Sequence, residues 1–275
     1  MQYNPGWNNN SVNLLHVQAV GPRDSLHYVW SSIGAPAVLL VATQSPSSDL
    51  RVNWSQLLSP SPAGAIWIEP PDSVVYSTAV VFTKVLLLWD SWGCRPLNVL
   101  LSLDPCPSQI TAFETSGRAG PLPSLLHTAD SSQLEFILAG VTPRGNSSRF
   151  VLEMATVEEA GAVRRLHSQR SIDDEYTPTI FEVLSLLAEP QNSSSTLGFL
   201  QWKATAYGSR SPRREDGIQC RAQELHEANW TLPMSTLVQA YFGHSLGSSC
   251  TISALNVTFG GEEGEVYREK RYLSW

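Results

Sequence analysis

Short runs of β-branched and aromatic residues, separated by Gly, Pro and Ser clusters, constrain the fold of this chain most strongly. Such runs are typical of antiparallel strands. They occur at 26–30, 37–41, 50–54, 179–187, 197–207, 237–242, 250–259 and 266–275. Residues 74–88 form one long strand or two, and 143–146 is predicted to be the turn of a hairpin between 134–141 and 149–155. Residues 157–169 contain helix formers, and a flanking loop with one or two turns explains this pattern equally well.

Helical periodicity is weak along the whole chain, which favours an all-β protein. The predicted architecture is an antiparallel β-sandwich, as one sandwich or two packed sandwiches, with few short helices. The 275 residues are treated as one domain. Residues 86–123 lack alternation and are rich in Pro, Ser and Gly, so they are predicted to be an irregular or atypical insertion.

The second strong feature is an excess of Asn-x-Ser/Thr glycosylation acceptors. Random placement of 11 Asn among 51 Ser and Thr in 275 residues would give about two acceptors. Six are present, at Asn9, Asn53, Asn146, Asn192, Asn229 and Asn256. A glycan is bulky and hydrophilic, so these positions predict both surface exposure and passage through the secretory pathway.

The net charge argues against two classes of partner. The net charge of −7 and the pI near 5.4 disfavour nucleic acid, which requires a basic face. The same charge disfavours adsorption to an anionic membrane surface. The first residues are polar and no apolar run approaches the length of a membrane span, so we expect a fragment that has lost its targeting ends.

Four cysteines fit an oxidising compartment and permit three disulfide pairings. The pairing of Cys220 with Cys250 is favoured because closing a loop of about 30 residues would contribute roughly 3–4 kcal/mol. The pairing of Cys94 with Cys106 stays open. No Cys-x-x-Cys pair and no His at ligand spacing is present, so no metal and no cofactor is predicted.

Two patterns suggest a hydrolase and are weighed as the alternative function. Ser245 lies in Gly-His-Ser-Leu-Gly, which matches a nucleophile elbow, but a strand-like run follows it and no His lies beyond His244. The carboxylates Asp173–Glu175 could serve a glycosidase, although adjacent residues point in different directions and a solvated loop is favoured.

The remaining candidates have simpler structural explanations. His127 is close in sequence to Asp130, and a local hydrogen bond to this histidine is favoured over a triad. His226 lacks the second histidine of a zinc-binding helix. Tryptophans such as Trp30, Trp54 and Trp202 fall within strand patterns, where packing in the core is favoured over stacking on a sugar.

The chain also resembles a known family, the glycosylated lysosomal membrane proteins. The resemblance is carried by LHYVWSS at 26–32, VNWSQLLSP at 52–60, LLHTAD at 125–130, PRGN at 143–146, SIDDEY at 171–176, NVTFG at 256–260 and YLSW at 272–275. Residues 86–123 depart from the family pattern and are shorter than its middle section. Cys220 and Cys250 fit the family, whereas Cys94 and Cys106 have no counterparts.

The resemblance implies a type I lysosomal membrane protein whose glycosylated lumenal domain is this chain, with the span beginning after Trp275. It further implies a non-catalytic accessory subunit that binds a lysosomal major-facilitator dipeptide transporter and protects it from lysosomal proteases. N-linked glycans are the other expected partner. Monomer and homodimer both stay open.

Overall fold

The computed structural model describes residues 1–7, 14–88, 108–113, 115–119, 125–127, 132–136, 149–159, 162–172, 180–190, 198–204, 206–207, 217–218, 220–225, 235–243, 245–246 and 249–260. Antiparallel strands dominate these residues, so the predicted all-β class is confirmed. The strands of the first third are β1 (Gln2–Tyr3), β2 (Leu14–Val20), β3 (Ser25–Ser31), β4 (Ala37–Thr43), β5 (Asp49–Val52), β6 (Ile66–Glu69) and β7 (Val74–Leu88).

The described residues of the middle and last thirds contain twelve further strands. They are β8 (Ser108–Ala112), β9 (Gly117–Ala119), β10 (Leu125–His127), β11 (Ser132–Phe136), β12 (Arg149–Glu159), β13 (Ala162–Ile172), β14 (Ile180–Pro190), β15 (Gly198–Ala204), β16 (Ala206–Tyr207), β17 (Gly217–Ile218), β18 (Cys220–Leu225) and β19 (Cys250–Gly260). The helices are α1 (Trp54–Leu57) and α2 (Thr236–Phe242), together with a 3₁₀ turn at Pro71–Ser73.

The largest sheet of the described residues has eight strands in the order β1-β2-β3-β4-β7-β12-β19-β18. Strand β7 is a single long strand with a register shift on each side. Against β12 the shift leaves Thr83 as the extra residue, and its hydroxyl donates to the backbone carbonyl and the carboxylate of Glu153, at 3.0 and 2.9 Å. Such bulges bend a long strand, which lets β7 pair along its whole length with two shorter neighbours.

A layer of short elements packs on one face of this sheet, and we call it the cover. It consists of β5, α1, β6 and α2. Between cover and sheet lies an apolar core. Its fully buried members come from both layers: Leu39, Val41, Val81, Val157, Leu57, Ile66, Ile68, Leu237 and Val238. The alternation of strand side chains places every second residue of β3, β4, β7 and β12 on this face.

Local sequence explains why the cover contains helices. The Asn53 side chain caps α1, and the Ser235 hydroxyl accepts the Val238 N–H at 3.4 Å to cap α2. Helix α2 ends at Gly243, where a β-carbon would lie 2.6 Å from the Ala63 β-carbon. Only glycine therefore allows the end of α2 to approach the connection between α1 and β6 this closely.

Three predictions about secondary structure are wrong. Residues 237–242 were expected as a strand but lie in α2, because a short apolar run fits either element and the Ser235 cap decides for helix. Residues 157–169 continue β12 and form β13 instead of a loop. The described strands on either side of the expected hairpin do not pair with each other, since β11 pairs with β8 while β12 pairs with β7 and β19, and residues 143–146 themselves lie outside the described residues.

Other predictions fall on parts of the chain that are described incompletely. Strands β8 and β9 lie inside the segment 86–123 that was expected to be irregular. The strand predicted at 266–275 lies outside the described residues.

Candidate functional site

The glycosylation acceptor at Asn53 lies on the exposed side of the cover, where β5 meets α1. Its Oδ1 accepts the Gln56 backbone N–H at 3.2 Å, and its own backbone N–H donates to Ala65 at 2.8 Å. A glycan attaches to Nδ2, whose contact with the Gln56 side chain is long, at 3.4 Å. The cap uses the oxygen, so this asparagine can carry a glycan without losing its structural role.

The acceptor at Asn256 lies in a different setting, in the middle of β19. The register places it opposite Glu153 of β12 on one side and Gln223 of β18 on the other. The side chain is only 9% exposed, and within the described chain its Oδ1 has no hydrogen-bond partner. The expectation that every acceptor asparagine faces solvent is therefore wrong at Asn256 in this fold.

The other four acceptors, Asn9, Asn146, Asn192 and Asn229, lie outside the described residues. Their glycosylation stays a prediction from the sequence.

The strand register contradicts the predicted disulfide between Cys220 and Cys250. Cys220 lies opposite Phe259, whereas Cys250 is nine residues earlier on the same strand and lies opposite Glu159. At about 3.4 Å per residue the two cysteines are about 30 Å apart along the strands. A disulfide requires α-carbons within about 7 Å, so this bond cannot form here. Cys94 and Cys106 lie outside the described residues.

The most polar part of the interior lies where the β4–β5 connection crosses the sheet. We call it the histidine–hydroxyl cluster. His16 Nε2 lies 3.0 Å from His27 Nδ1, and the two rings are parallel within 5°. Its members are His16, Ser25, His27, Thr43 and Ser48, together with the backbone carbonyl of Ser45.

Hydrogen bonds connect the cluster from the sheet to the connection. His27 Nε2 lies 2.8 Å from the Ser48 hydroxyl and 3.2 Å from the Ser25 hydroxyl. The hydroxyls of Ser25, Thr43 and Ser48 lie within hydrogen-bonding distance of one another. In the same order, these three hydroxyls lie 2.9, 3.1 and 3.2 Å from the backbone carbonyl oxygen of Ser45. None of the five side-chain donors is more than 4% exposed. A satisfied buried network of this kind fixes one arrangement of the β4–β5 connection.

Burial keeps both imidazoles in the neutral state over a wide pH range. Desolvation, followed by the charge of His27, lowers the pKa of His16 from 6.5 to about 4, and the carboxylate of Asp49 opposes this. Desolvation also lowers the pKa of His27, again against the effect of Asp49. The cluster is therefore an uncharged network at neutral pH.

A contact between histidine and serine also occurs in hydrolases, where the histidine activates the serine. Here His27 is fully buried, Ser48 is 2% exposed and Ser25 is 4% exposed. A substrate cannot reach these hydroxyls without unfolding the β4–β5 connection. The geometry supports a structural role for the contact.

The hydrolase candidates from the sequence are not brought together in the described chain. Ser245 follows the C-terminus of α2, and its backbone N–H bonds to Phe242 at 2.6 Å. A nucleophile elbow instead joins a strand to a following helix, so the geometry at Ser245 is the reverse of that motif. His244, the carboxylates Asp173–Glu175, Asp130 and His226 lie outside the described residues.

The predicted local hydrogen bond of His127 stays a prediction, because Asp130 lies outside the described residues. The His127 ring stacks on Phe113 with centroids 3.7 Å apart, and its buried Nδ1 has no hydrogen-bond partner in the described chain.

Trp30 and Trp54 agree with the prediction of core packing, whereas the side chain of Trp202 lies outside the described part of the chain. Trp54 is 6% exposed, and its Nε1 donates to the Pro5 carbonyl at 2.8 Å. Trp30 is 7% exposed. Trp7 and Trp67 are partly exposed, and Trp7 packs against Trp54 with ring centroids 5.4 Å apart.

Sequence reasoning missed the histidine–hydroxyl cluster. A signal was present, because Ser25 and His27 alternate with apolar residues and so share one face of β3 with Val29. Ser48 could not have been added, since only the tertiary fold brings the β4–β5 connection over β3.

The described residues contain neither a metal-binding group of side chains nor a helix suited to span a membrane. No group of His, Cys, Asp and Glu there is arranged to hold a metal ion. No described helix has the length and apolarity needed to cross a bilayer.

Comparison with known proteins gives a consistent result. The family model described as glycosylated lysosomal membrane protein matches residues 13–91 and 107–275. The unmatched residues are 92–106, so the departure from the family is narrower than the expected segment 86–123, whose ends 86–91 and 107–123 match the family model. Glycosylated lysosomal membrane protein A of Xenopus laevis is 43% identical over 318 aligned positions, covering 100% of this chain and 78% of that protein.

More distant vertebrate relatives show the same extent of similarity. Glycosylated lysosomal membrane protein of Homo sapiens is 40% identical, with 98% of this chain and 75% of that protein covered. The Danio rerio protein of the same name is 39% identical, with 96% and 74% covered. The similarity therefore extends over the whole described fold.

Proposed function

Because the chain belongs to the glycosylated lysosomal membrane protein family, we propose that it is the lumenal domain of a non-catalytic accessory subunit in the lysosomal membrane. The domain binds a lysosomal major-facilitator dipeptide transporter and protects it from lysosomal proteases. Family membership over nearly the whole chain is the observation that carries this proposal. The type I topology, with a span after Trp275, is part of it.

The described structure supports a role in binding more than in catalysis. The core between cover and sheet is closed, and the buried Ser–His contacts have no route to solvent. Ser245 has the wrong local geometry for a nucleophile elbow. No described feature favours the alternative of a lysosomal hydrolase acting on lipid esters or glycans.

Physical arguments connect a glycosylated domain to protection from proteases. A protease must bind several residues of its substrate in an extended conformation, and a glycan hinders that approach sterically. A lumenal domain that contacts the transporter also buries loops that would otherwise be cleaved. N-linked glycans at the accessible acceptors, with Asn53 as the best-described case, are part of the proposal. Whether the subunit acts as a monomer or a homodimer stays open.

A rescue experiment tests the proposed function. The chain is fused to a signal peptide and a membrane span and expressed in cells that lack the endogenous family member. Transporter abundance in lysosomes is then measured by quantitative immunoblotting, with transporter mRNA as a reference. We expect abundance to return to at least half of the wild-type level while mRNA stays constant.

The matched control is the same membrane anchor carrying an unrelated glycosylated lumenal domain, which should not rescue. If the chain reaches lysosomes in glycosylated form and transporter abundance stays at the knock-out level, the proposed accessory role is wrong.

A further inference from the structure

The histidine–hydroxyl cluster adds polar contacts between sheet and cover, which are also joined by apolar packing and by the Ser77–Tyr241 hydroxyl contact at 2.8 Å. His16, Ser25, His27 and Thr43 belong to three adjacent strands of the sheet, β2, β3 and β4. Ser48 immediately precedes β5 of the cover, and its carbonyl accepts a hydrogen bond from Gln18 at 2.8 Å. The β4–β5 connection, residues 44–48, is therefore held to the sheet by polar contacts.

The hydrogen-bond donors and acceptors of the cluster determine which protonation states of His16 and His27 fit the network. One proton lies between His16 Nε2 and His27 Nδ1, whichever ring donates. When His16 donates, His27 Nε2–H donates to Ser48 or Ser25, and the hydroxyls pass the chain on to the Ser45 carbonyl. A second proton between the rings would set two N–H groups against each other. Full protonation of both rings therefore breaks the network.

The surroundings offer little compensation for a positive charge. The hydrogen-bond partners of the cluster within the described chain are hydroxyls, carbonyls and the Gln18 amide. The carboxylate that acts on both imidazoles is that of Asp49 in β5, which is about half exposed and already pairs with Arg51 at 3.4 Å. The amino group of Met1 adds a small repulsion.

The other charged groups on neighbouring elements face solvent. Arg23 and Asp24 in the β2–β3 turn are exposed, and so is Glu69, which lies opposite Asp49 in the β5–β6 ladder. A proton that enters the cluster therefore creates a buried charge without a carboxylate in contact, which is unfavourable.

We propose that the histidine–hydroxyl cluster is an acid-operated latch that holds the β4–β5 connection, and with it the edge of the cover, to the sheet. At neutral pH the latch is closed by the continuous hydrogen-bond chain. As the pH falls, protonation of the imidazoles opens residues 44–48 before the central strands of the sheet open. The lowered pKa of His16 places this opening at the acid end of the range in which histidine titrates. This inference is independent of transporter binding.

Hydrogen exchange on the purified glycosylated domain tests the latch. Amide protection is measured at neutral pH and near pH 4, after correction for the intrinsic pH dependence of exchange, and peptides covering 44–52 are compared with peptides covering β12 and β19. A shift of the pKa from 6.5 to about 4 predicts an increase of about 100-fold in opening of residues 44–52 near pH 4. The peptides from β12 and β19 should change by less than about tenfold.

A variant that cannot titrate provides the matched control. In His16→Gln the amide can still donate to His27 but accepts no proton, so the acid-dependent opening of 44–52 should fall at least about tenfold. If this variant does not fold, the comparison of regions in the wild-type chain still decides. Equal acid-induced changes in both regions, unchanged protection of 44–52 near pH 4, or an unaltered acid response in a folded His16→Gln would each overturn the proposal.

Discussion

The two described glycosylation acceptors contrast the cover with the sheet. Asn53 lies exposed where two short elements of the cover meet, with its Oδ1 in the helix cap and its Nδ2 in only a long contact of 3.4 Å. Asn256 has the same local motif but lies between two strands, with 9% of its side chain exposed. A tripeptide specifies what an enzyme can modify in an extended chain, whereas the fold decides whether the product is compatible with packing. Short exposed elements therefore suit glycans, and central strands do not.

The two regions also differ in how they are stabilised. The sheet is held by long ladders of backbone hydrogen bonds, such as the eleven paired positions between β12 and β19. The cover has short elements and relies on apolar contacts with the sheet, side-chain caps and the histidine–hydroxyl cluster. Single side chains should therefore matter most in the cover.

The largest effect is expected from truncating the apolar contact between the two layers. Leu237 of α2 is 1% exposed in the core, so Leu237→Ala should lower the free energy of unfolding by about 2–5 kcal/mol. Chemical denaturation of the purified domain measures this change. Leu58, which is 54% exposed at the end of α1, gives the control, and Leu58→Ala should change stability by less than about 0.5 kcal/mol. Similar losses in both variants would show that α2 does not anchor the cover.

The next effect concerns pH. The folded state holds the pKa of His16 near 4, below the unfolded value of 6.5, so the unfolded chain binds more protons in acid. Stability is therefore complete at neutral pH and is lost as the pH falls from about 6.5 to about 4, by about 3 kcal/mol in total.

Unfolding midpoints in denaturant at a series of pH values measure this loss. The variant His16→Gln should show a flatter profile over the same range. A wild-type profile that is flat, or that rises towards acid, would contradict neutral burial of His16.

A smaller effect separates the two roles of Asn53. Asn53→Ala removes both the α1 cap and the glycan site, and the loss of the cap should cost about 1 kcal/mol. Ser55→Ala removes only the glycan site, because Asn53 keeps its bond to Gln56. Thermal unfolding of enzymatically deglycosylated proteins isolates the cap. Equal stability of the two variants would mean that the cap contributes nothing.

The last prediction is that removing the acceptor motif at Asn256 leaves the number of glycans unchanged. Thr258→Val destroys the acceptor at Asn256 with a side chain of nearly equal volume, so the number of occupied sites should stay the same. Ser55→Ala should remove one glycan. Glycopeptide mass spectrometry counts the occupied sites in each case. A glycan on Asn256 in the folded, secreted domain would break the contrast between cover and sheet.

The sequence predicted the sheet better than the cover, for a physical reason. Strands β3, β4, β7 and β19 contain alternating or continuous apolar residues. This pattern can be recognised from the short sequence of each strand alone. Helix α2 was predicted as a strand because six mostly apolar residues fit either element, and its cap and packing partners decide. The β12–β13 region was misjudged because helix formers such as Glu and Ala tolerate a paired strand.

The candidate sites depended still more on tertiary structure. Asn53 was placed correctly on the surface, where its side chain caps the exposed start of α1. The burial of Asn256 and the distance between Cys220 and Cys250 follow from the pairing of β18 with β19, which no local pattern specifies. The histidine–hydroxyl cluster joins residues up to 32 positions apart, from His16 to Ser48, and only the folded chain brings them together.

The half-life of the transporter tests the proposed protective role most directly. It is measured by pulse labelling in cells that lack the endogenous family member, with and without the membrane-anchored chain. The account predicts a short half-life without the chain, a half-life restored by the chain, and a long half-life in both cases when lysosomal proteases are inhibited. A half-life that is the same with and without the chain while the proteases are active would contradict the account.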